Sequence, residues 1–449
     1  MKKIHRVKHV MIAGAVGVGK TKIVADFIAN MVWHKKLSRA LVVLPLEALG
    51  VWEQQFSENC PFINYSLYLK DEQVDWSAHV IIINYDYLSP RRRKKTTVRG
   101  KEKYEINKRV LNDLIGWKPQ LVAIDEGHKI KRPTARRSKA VHQLGTIAEY
   151  TIDLTGTPTG NKKVMDLWSQ FKFIKGNLLC DKYVDFKHRY GKWGGFNNFQ
   201  FLGVKNLKEL SGIIAPYTIR IDMTGLPKET FIRYPVIMPP QAKQIYHQMA
   251  KDLIAEIDQK KIIAPIVLTK IMKLSQIAGG FIKDEKKIDH FVHRAKIDAL
   301  NNILDELENA DVKRVVIFGR FLWEIDQVKQ VLEQRNWPFH RVRGRILPEV
   351  QRTFDTVGGA MICQTASGSG SNNFQAANYC IFYSTDYSLI NFKQALGRIR
   401  RRGQTKPCFY YFLQSRGTID NKIYSMLMNN QDVAAEIMAM MEDIRKENQ

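Results

Sequence analysis

The octet GAVGVGKT at residues 14–21 limits what this chain can fold into more than any other stretch. An apolar run, 10–13, leads into it, and a helix-forming stretch starts at Lys20. Strand, glycine loop and helix N-terminus in that order make a phosphate cradle. Backbone N–H groups must turn inward, where a Cβ would obstruct them, and the helix adds its positive end. In such a cradle Gly14, Gly17 and Gly19 shape the loop and Lys20 reaches the β- and γ-phosphates of a nucleotide. The Thr21 hydroxyl ligates Mg²⁺. The motif belongs at the carboxyl end of a strand in a parallel α/β sheet, where ligands of such sheets bind.

The first 160 residues bear out that reading of class. Short apolar, β-branched runs at 10–13, 40–44, 79–84, 121–124 and 151–154 alternate with helical stretches, and each ends at a polar or Gly/Pro-rich loop. The fourth run continues as LVAIDEGH, 121–128, so two carboxylates stand side by side where a strand ends. Asp125 would hold Mg²⁺ through its water shell, and Glu126 would orient and deprotonate an attacking water; one carboxylate does not easily do both. His128 is read as a coupling or packing residue, because no second His or Cys stands at ligand spacing.

From residue 166 to about 299 the pattern turns helical and rich in aromatics and lysines, with a possible hairpin at KWGGFNNFQF, 192–201. A second α/β block starts near Lys313, with strands expected at 314–318, 359–363, 379–383 and 407–412. It carries QALGRIRRRGQ, 394–404, a run of arginines on an expected helix some 370 residues beyond the phosphate loop. From 418 onward two amphipathic helices are expected, broken at Asn429 and Asn430. The basic stretch 91–109 lacks periodicity and reads as an exposed loop.

Charge points to the partner. Seventy Lys and Arg against 44 Asp and Glu leave +26, which favours a polyanion, nucleic acid before membrane. No apolar run approaches the ~20 residues that span a bilayer, so no membrane partner is expected. Five scattered cysteines without a CxxC pair imply a reducing compartment, no zinc and no disulfide framework.

In order along the chain, these motifs resemble helicase superfamily 2, and within it the SNF2-like group. LVVLPLEAL and VWEQQF (41–56) resemble motif Ia and its following segment, IINYDYL (82–88) the Ib region, and DEGHKIKRPTARRSKAV (125–141) motif II with its SNF2-type extension. LTGTP (154–158) resembles motif III, VVIFGRF (315–321) motif IV, TASGSGSNNFQAAN (365–378) motif V and QALGRIRRRGQ motif VI. NLKELSGIIAPYTIR (206–220) with LPK (226–228) resembles the SNF2 helical insertion.

The resemblance implies two tandem RecA-like parallel-sheet lobes: lobe one over 1–165, a helical insertion over 166–299, lobe two over 300–417 and C-terminal helices over 418–449. It assigns Lys20, Thr21, Asp125 and Glu126 to ATP and Mg²⁺, Arg398 and Arg401 to the arginine fingers, and Gln394 to sensing the γ-phosphate. Thr155 and Thr157 would relay nucleotide state. Pro45, Asn84, Tyr85, Thr365 and Ser367 mark loops that follow a nucleic-acid backbone. Apart from the resemblance, the basic stretch with Arg91, Arg92 and Arg93 reads either as a segment that contacts phosphates or as one that is merely solvated.

The implied activity is an ATP-driven DNA helicase or translocase. Compact size and charge suggest a phage or bacterial protein acting on branched or forked DNA in replication, recombination or repair. It would be a monomer in the cytoplasm, the host's if phage-encoded, beside other replication or recombination proteins. Duplex translocation without strand separation is one alternative. An RNA helicase, a nucleic-acid-binding scaffold with little ATPase, and a simple P-loop NTPase are others. Three departures from the family pattern stand out. None of residues 1–13 is the Gln that reads adenine, Ala366 replaces the motif V Lys, and no chromatin-reading domain is appended, which speaks against a nucleosome remodeller.

Overall fold

The computed structural model describes residues 1–14, 17–69, 73–89, 91–98, 101–156, 164–194, 200–221, 225–258, 264–342, 344, 346–365 and 372–430; for 91–98, 101–107, 200, 252–258 and 264–268 it describes the backbone alone. The chain divides into two compact units, Met1–Met223 and Thr224–Gln449.

The first unit carries strands β1 (His9–Gly14), β2 (Ala40–Leu44), β3 (Tyr65–Leu67), β4 (Val80–Asn84), β5 (Arg91–Val98), β6 (Lys101–Asn107), β7 (Leu121–Asp125), β8 (Tyr150–Thr155), β9 (Gly191–Gly194), β10 (Gln200–Val204) and β11 (Thr218–Ile221). Seven of them form one sheet in the order β11-β1-β8-β7-β2-β4-β3, every pair parallel. Helices bury both faces, so the inner strands read as continuous apolar runs. Val10, Ile12, Val42, Leu44, Leu121, Ala123, Ile152 and Leu154 pack on one face with Trp52 and Phe56, while Met11, Leu41, Val43, Val122 and Ile124 pack on the other with Tyr85 and Ile130. The two-residue period therefore places Asp125 on the Trp52 face and Asp153 on the Tyr85 face.

The second unit adds β12 (Glu229–Val236), β13 (Phe281–Lys283), β14 (Asp289–Phe291), β15 (Arg314–Gly319), β16 (Phe339–Val342), β17 (Gly359–Gln364), β18 (Tyr379–Phe382) and β19 (Cys408–Ser415). Its sheet runs β12-β19-β18-β15-β17-β16, again parallel throughout. Buried Lys296, 2.8 Å from Asp420, donates to the Tyr383 carbonyl and ties the helix Ala295–Asn309 to the helix Ile419–Met428.

Two expectations change. The segment 166–299 is not one insertion: β11 completes the first sheet, β12 joins the second, and the division falls at 223/224. The basic stretch is an antiparallel hairpin, β5 on β6, with a register shift between Lys94 and Thr96. β9 pairs antiparallel with β10, as the hairpin expected around 192–201 requires; residues 195–199 lie outside the described residues. Trp193 packs edge-on against Phe201 and donates its indole N–H to the Lys187 carbonyl. The helix Ile419–Met428 ends at Asn429; the second tail helix lies outside the described residues. No helix among the described residues is long and apolar enough to cross a membrane.

Candidate nucleotide site

The phosphate loop leaves β1 between β11 and β8. Gly14 is dictated by the neighbouring strand, since a Cβ there would come within 2.8 Å of the Ile221 carbonyl oxygen. Gly17 and Gly19 take φ of 86° and 87°, a left-handed backbone that favours glycine, and Gly19 opens the helix Lys20–Trp33. Lys20 is 8% exposed and donates to the Gly14 carbonyl at 2.7 Å, which folds the ammonium across the loop it would hold closed on phosphate. Thr21 follows on the first turn, half-buried.

Asp125 ends β7 with its carboxylate held at both oxygens. Oδ1 accepts the Glu126 backbone N–H at 2.9 Å, and Oδ2 accepts the Trp52 indole N–H at 2.9 Å. Burial, then the Glu126 carboxylate, push its pKa up to about 6, while the Trp52 bond and the Lys20 ammonium pull it down. Lys20 is thus an electrostatic neighbour of Asp125. Glu126 sits at φ 54°, ψ 54°, left-handed for a residue with a Cβ, at a cost of about 1–2 kcal/mol. That turn separates the two acidic side chains, and Glu126 Oε2 lies 3.1 Å from His128 Nδ1. His128 is thus the imidazole beside the second carboxylate, close to it without a hydrogen bond between the two atoms.

Under this loop lies Asp153. It is 0% exposed, and among the described residues neither of its oxygens has a hydrogen-bond partner. Burial, followed by the charges of Asp125 and Glu126, raises its pKa well above the usual carboxylate range. Thr155, also buried, ends the same strand.

Several expected contacts are placed differently. Tyr85 is not a surface residue: it is 2% exposed and its hydroxyl donates to the Asp125 carbonyl at 2.8 Å, so it braces the acidic loop. Thr365 is 1% exposed and donates to the Gly319 carbonyl, turned inward rather than toward a nucleic acid. Asn84 caps the helix Tyr85–Leu88 by accepting from Tyr87 N–H. Pro45 stands half-buried before the turn Leu46–Ala48. Arg91, Arg92 and Arg93 lie on β5. Thr157 and Ser367 fall outside the described residues.

Motif VI lies in the second unit. Gln394 is on the helix Leu389–Leu396, but the arginines expected on that helix are not: it ends at Gly397, and Arg398, Arg400, Arg401 and Arg402 lie in the turns that follow. Arg398 is 2% exposed, with Nη1 donating to the Asn372 carbonyl at 2.9 Å; Arg401 is half-buried, and desolvation lowers its pKa. Arg400 is tied to the Pro227 carbonyl and lies 3.3 Å from Glu229, so it anchors β12. Gln404 is structural too, donating to the Gln375 and Ala377 carbonyls.

Sequence reasoning passed over Trp52, Tyr85 as a brace, and Asp153. The signals were faint: a tryptophan in VWEQQF, and one carboxylate interrupting the apolar run YTIDLT.

A Mg²⁺-nucleotide fits these residues. The glycines open the loop, Lys20 stands at its mouth, and each Asp125 oxygen retains acceptor capacity beyond the N–H it takes. A parallel sheet with a glycine loop after one inner strand and paired carboxylates after another defines the P-loop class. Residues 2–280 match the SNF2-related domain and residues 295–403 the helicase conserved C-terminal domain, and the chain belongs to the SNF2-related family.

Among relatives, the CHD3-type chromatin-remodeling factor CHR7 of Arabidopsis thaliana is 24% identical over 447 residues, 94% of this chain and 35% of that protein. An uncharacterized ATP-dependent helicase of Mycoplasma genitalium is 24% identical over 450 residues, 97% of this chain and 40% of that protein. The chain thus spans well under half the length of these two relatives. The solved SWI2/SNF2 ATPase core of Sulfolobus solfataricus in complex with dsDNA aligns with 98% of this chain and 92% of its own, at 22% identity and a TM-score of 0.41.

Proposed function

We propose that the chain hydrolyses ATP with Mg²⁺ and couples the hydrolysis to movement along DNA, with branched or forked DNA preferred, in phage or bacterial replication, recombination or repair. The observation that carries the chemistry is the division of labour at the end of β7. Asp125 is pinned by two N–H donors, and the left-handed turn at Glu126 leads the second carboxylate to His128 instead.

Bound Mg²⁺-ATP would supply the electrophilic γ-phosphorus and partial neutralisation of its charge. Lys20 and the loop N–H groups hold the phosphates, Thr21 and Asp125 hold the ion and its water shell, and Glu126 orients and deprotonates the attacking water. By family membership Arg401 and Arg398 would stabilise charge as it develops on the phosphoryl oxygens, and Gln394 would sense the γ-phosphate. Family membership and the +26 charge support DNA as the track.

Duplex translocation without strand separation is the second reading. It is favoured by Trp193 and Phe201, whose rings pack on each other and against the core of the first unit instead of standing out to stack on an unpaired base.

Steady-state ATPase with single-stranded, linear duplex, forked and four-way DNA and with RNA tests the proposal. Stimulation should be strongest with forked or four-way DNA, and Glu126→Gln should lower turnover by about 10²-fold or more. Strongest stimulation by linear duplex would select the second reading. An ATPase indifferent to every nucleic acid would overturn both.

A further inference from the structure

Trp52 sits in the helix Leu49–Gln54, 0% exposed, its ring 5.9 Å from Phe56 within the core on one face of the first sheet. Packing alone would be met by any large apolar side chain. An indole brings one further demand, because its N–H is a donor only and, once buried, needs an acceptor. Here that acceptor is Asp125 Oδ2 at 2.9 Å, from a residue 73 positions away in sequence.

Asp125 Oδ1 accepts the Glu126 backbone N–H. A carboxylate gripped at one oxygen can swing about its Cβ–Cγ bond; gripped at both, by a peptide and by a ring locked in the core, it cannot. The bond lies away from water, so solvent does not compete for it. The remaining acceptor capacity of Asp125 is then aimed before any ion arrives.

We propose that Trp52 is a positioning residue for Mg²⁺: its indole N–H fixes the Asp125 carboxylate in the orientation that holds the ion and its water shell beside a bound nucleotide. This rests on the reading of Asp125 as the Mg²⁺-holding residue. Groups that orient a metal ligand typically set metal affinity by 10–100-fold.

The test is a Mg²⁺ titration of a fluorescent ADP analogue bound to the full chain. Trp52→Phe keeps a buried ring and removes the N–H. It should raise the half-saturating Mg²⁺ concentration by about tenfold or more, while affinity for the analogue without Mg²⁺ stays at the wild-type value. Trp52→His, which retains a ring N–H, should recover part of the loss. A folded Trp52→Phe chain with wild-type Mg²⁺ dependence would overturn the inference and leave the nucleotide reading intact. Wild-type binding that ignores Mg²⁺ would overturn that reading and this inference together.

The unmodified chain gives a check independent of how the variants fold. In ¹⁵N-indole spectra of its eight tryptophans, one buried indole N–H should shift when Mg²⁺ is added to the ADP-bound chain. Its failure to shift would likewise overturn the role.

Discussion

Asp153 fills the space that a side chain on residue 127 would need: a Cβ on Gly127 would lie 1.8 Å from Asp153 Oδ1. Gly127 is not among the glycines with positive φ, so its own backbone does not require glycine. The requirement comes from a neighbouring strand. Asp153 pairs in register with Ile124, which places it directly beneath the turn that carries Glu126.

Gly127→Ala should therefore lower stability by about 1–3 kcal/mol, the usual cost of forcing a group into a filled site. Adding Asp153→Ala to it should return most of the loss. Thermal or denaturant unfolding of the two single variants and the double variant measures the coupling, expected at about 0.5–3 kcal/mol. Strictly additive effects would sink this account of Gly127.

Asp153 also gives stability a pH dependence of defined sign. Its folded pKa is raised above the unfolded value of about 3.9, first by burial and then by Asp125 and Glu126. The folded chain therefore keeps a proton that the unfolded chain releases. The associated stability is present below the unfolded value and is lost as pH rises toward the folded one. Asp153→Asn removes that term, so its Tm relative to wild type should be higher at pH 8 than at pH 5. Equal differences at the two pH values would argue against a buried, proton-holding Asp153.

The β5–β6 hairpin places five consecutive basic residues, 91–95, on one strand. Changing all five to Ala should weaken DNA binding and flatten its salt dependence, by about 0.9 in slope for each duplex phosphate that a side chain no longer neutralises. Fluorescence anisotropy across a salt series reads both quantities. Affinity and slope unchanged from wild type would remove the hairpin from the DNA-binding surface.

Lys296→Met should destabilise the chain by about 3–5 kcal/mol, because it leaves Asp420 without the buried cation that faces it at 2.8 Å. Denaturant unfolding measures it. Replacing both partners with apolar residues should cost much less than the single change, and a double variant as unstable as Lys296→Met would contradict the ion-pair explanation.

The strands legible in the sequence and those that are not differ by position in the sheets. Ala40–Leu44 and Leu121–Asp125 are buried throughout and appear as unbroken apolar runs. In the two large sheets four strands escape sequence reasoning, Tyr65–Leu67, Thr218–Ile221, Glu229–Val236 and Phe339–Val342, and they are the outer strands of those sheets; the short pair Phe281–Lys283 and Asp289–Phe291 escapes it too. The outer strands are largely half-exposed, and an edge strand with one neighbour does not need a continuous apolar run. The basic hairpin escapes it for a related reason, since its ladder is made by two strands that carry mostly polar residues.

The sequence by itself determined the phosphate loop, the acidic pair, the arginine-rich motif and the class of sheet that carries them, but not the conformation of the arginines, which lie beyond the helix expected to hold them. Each of these is a local pattern: glycines where N–H groups must converge, or a carboxylate pair where an apolar run stops. Only the tertiary structure decided what holds those groups. Trp52 on Asp125, Tyr85 under the acidic turn and Asp153 beneath Gly127 are contacts between residues 26 to 73 positions apart. They exist because parallel strands far apart in sequence share a sheet face, and no local pattern records which strands those are.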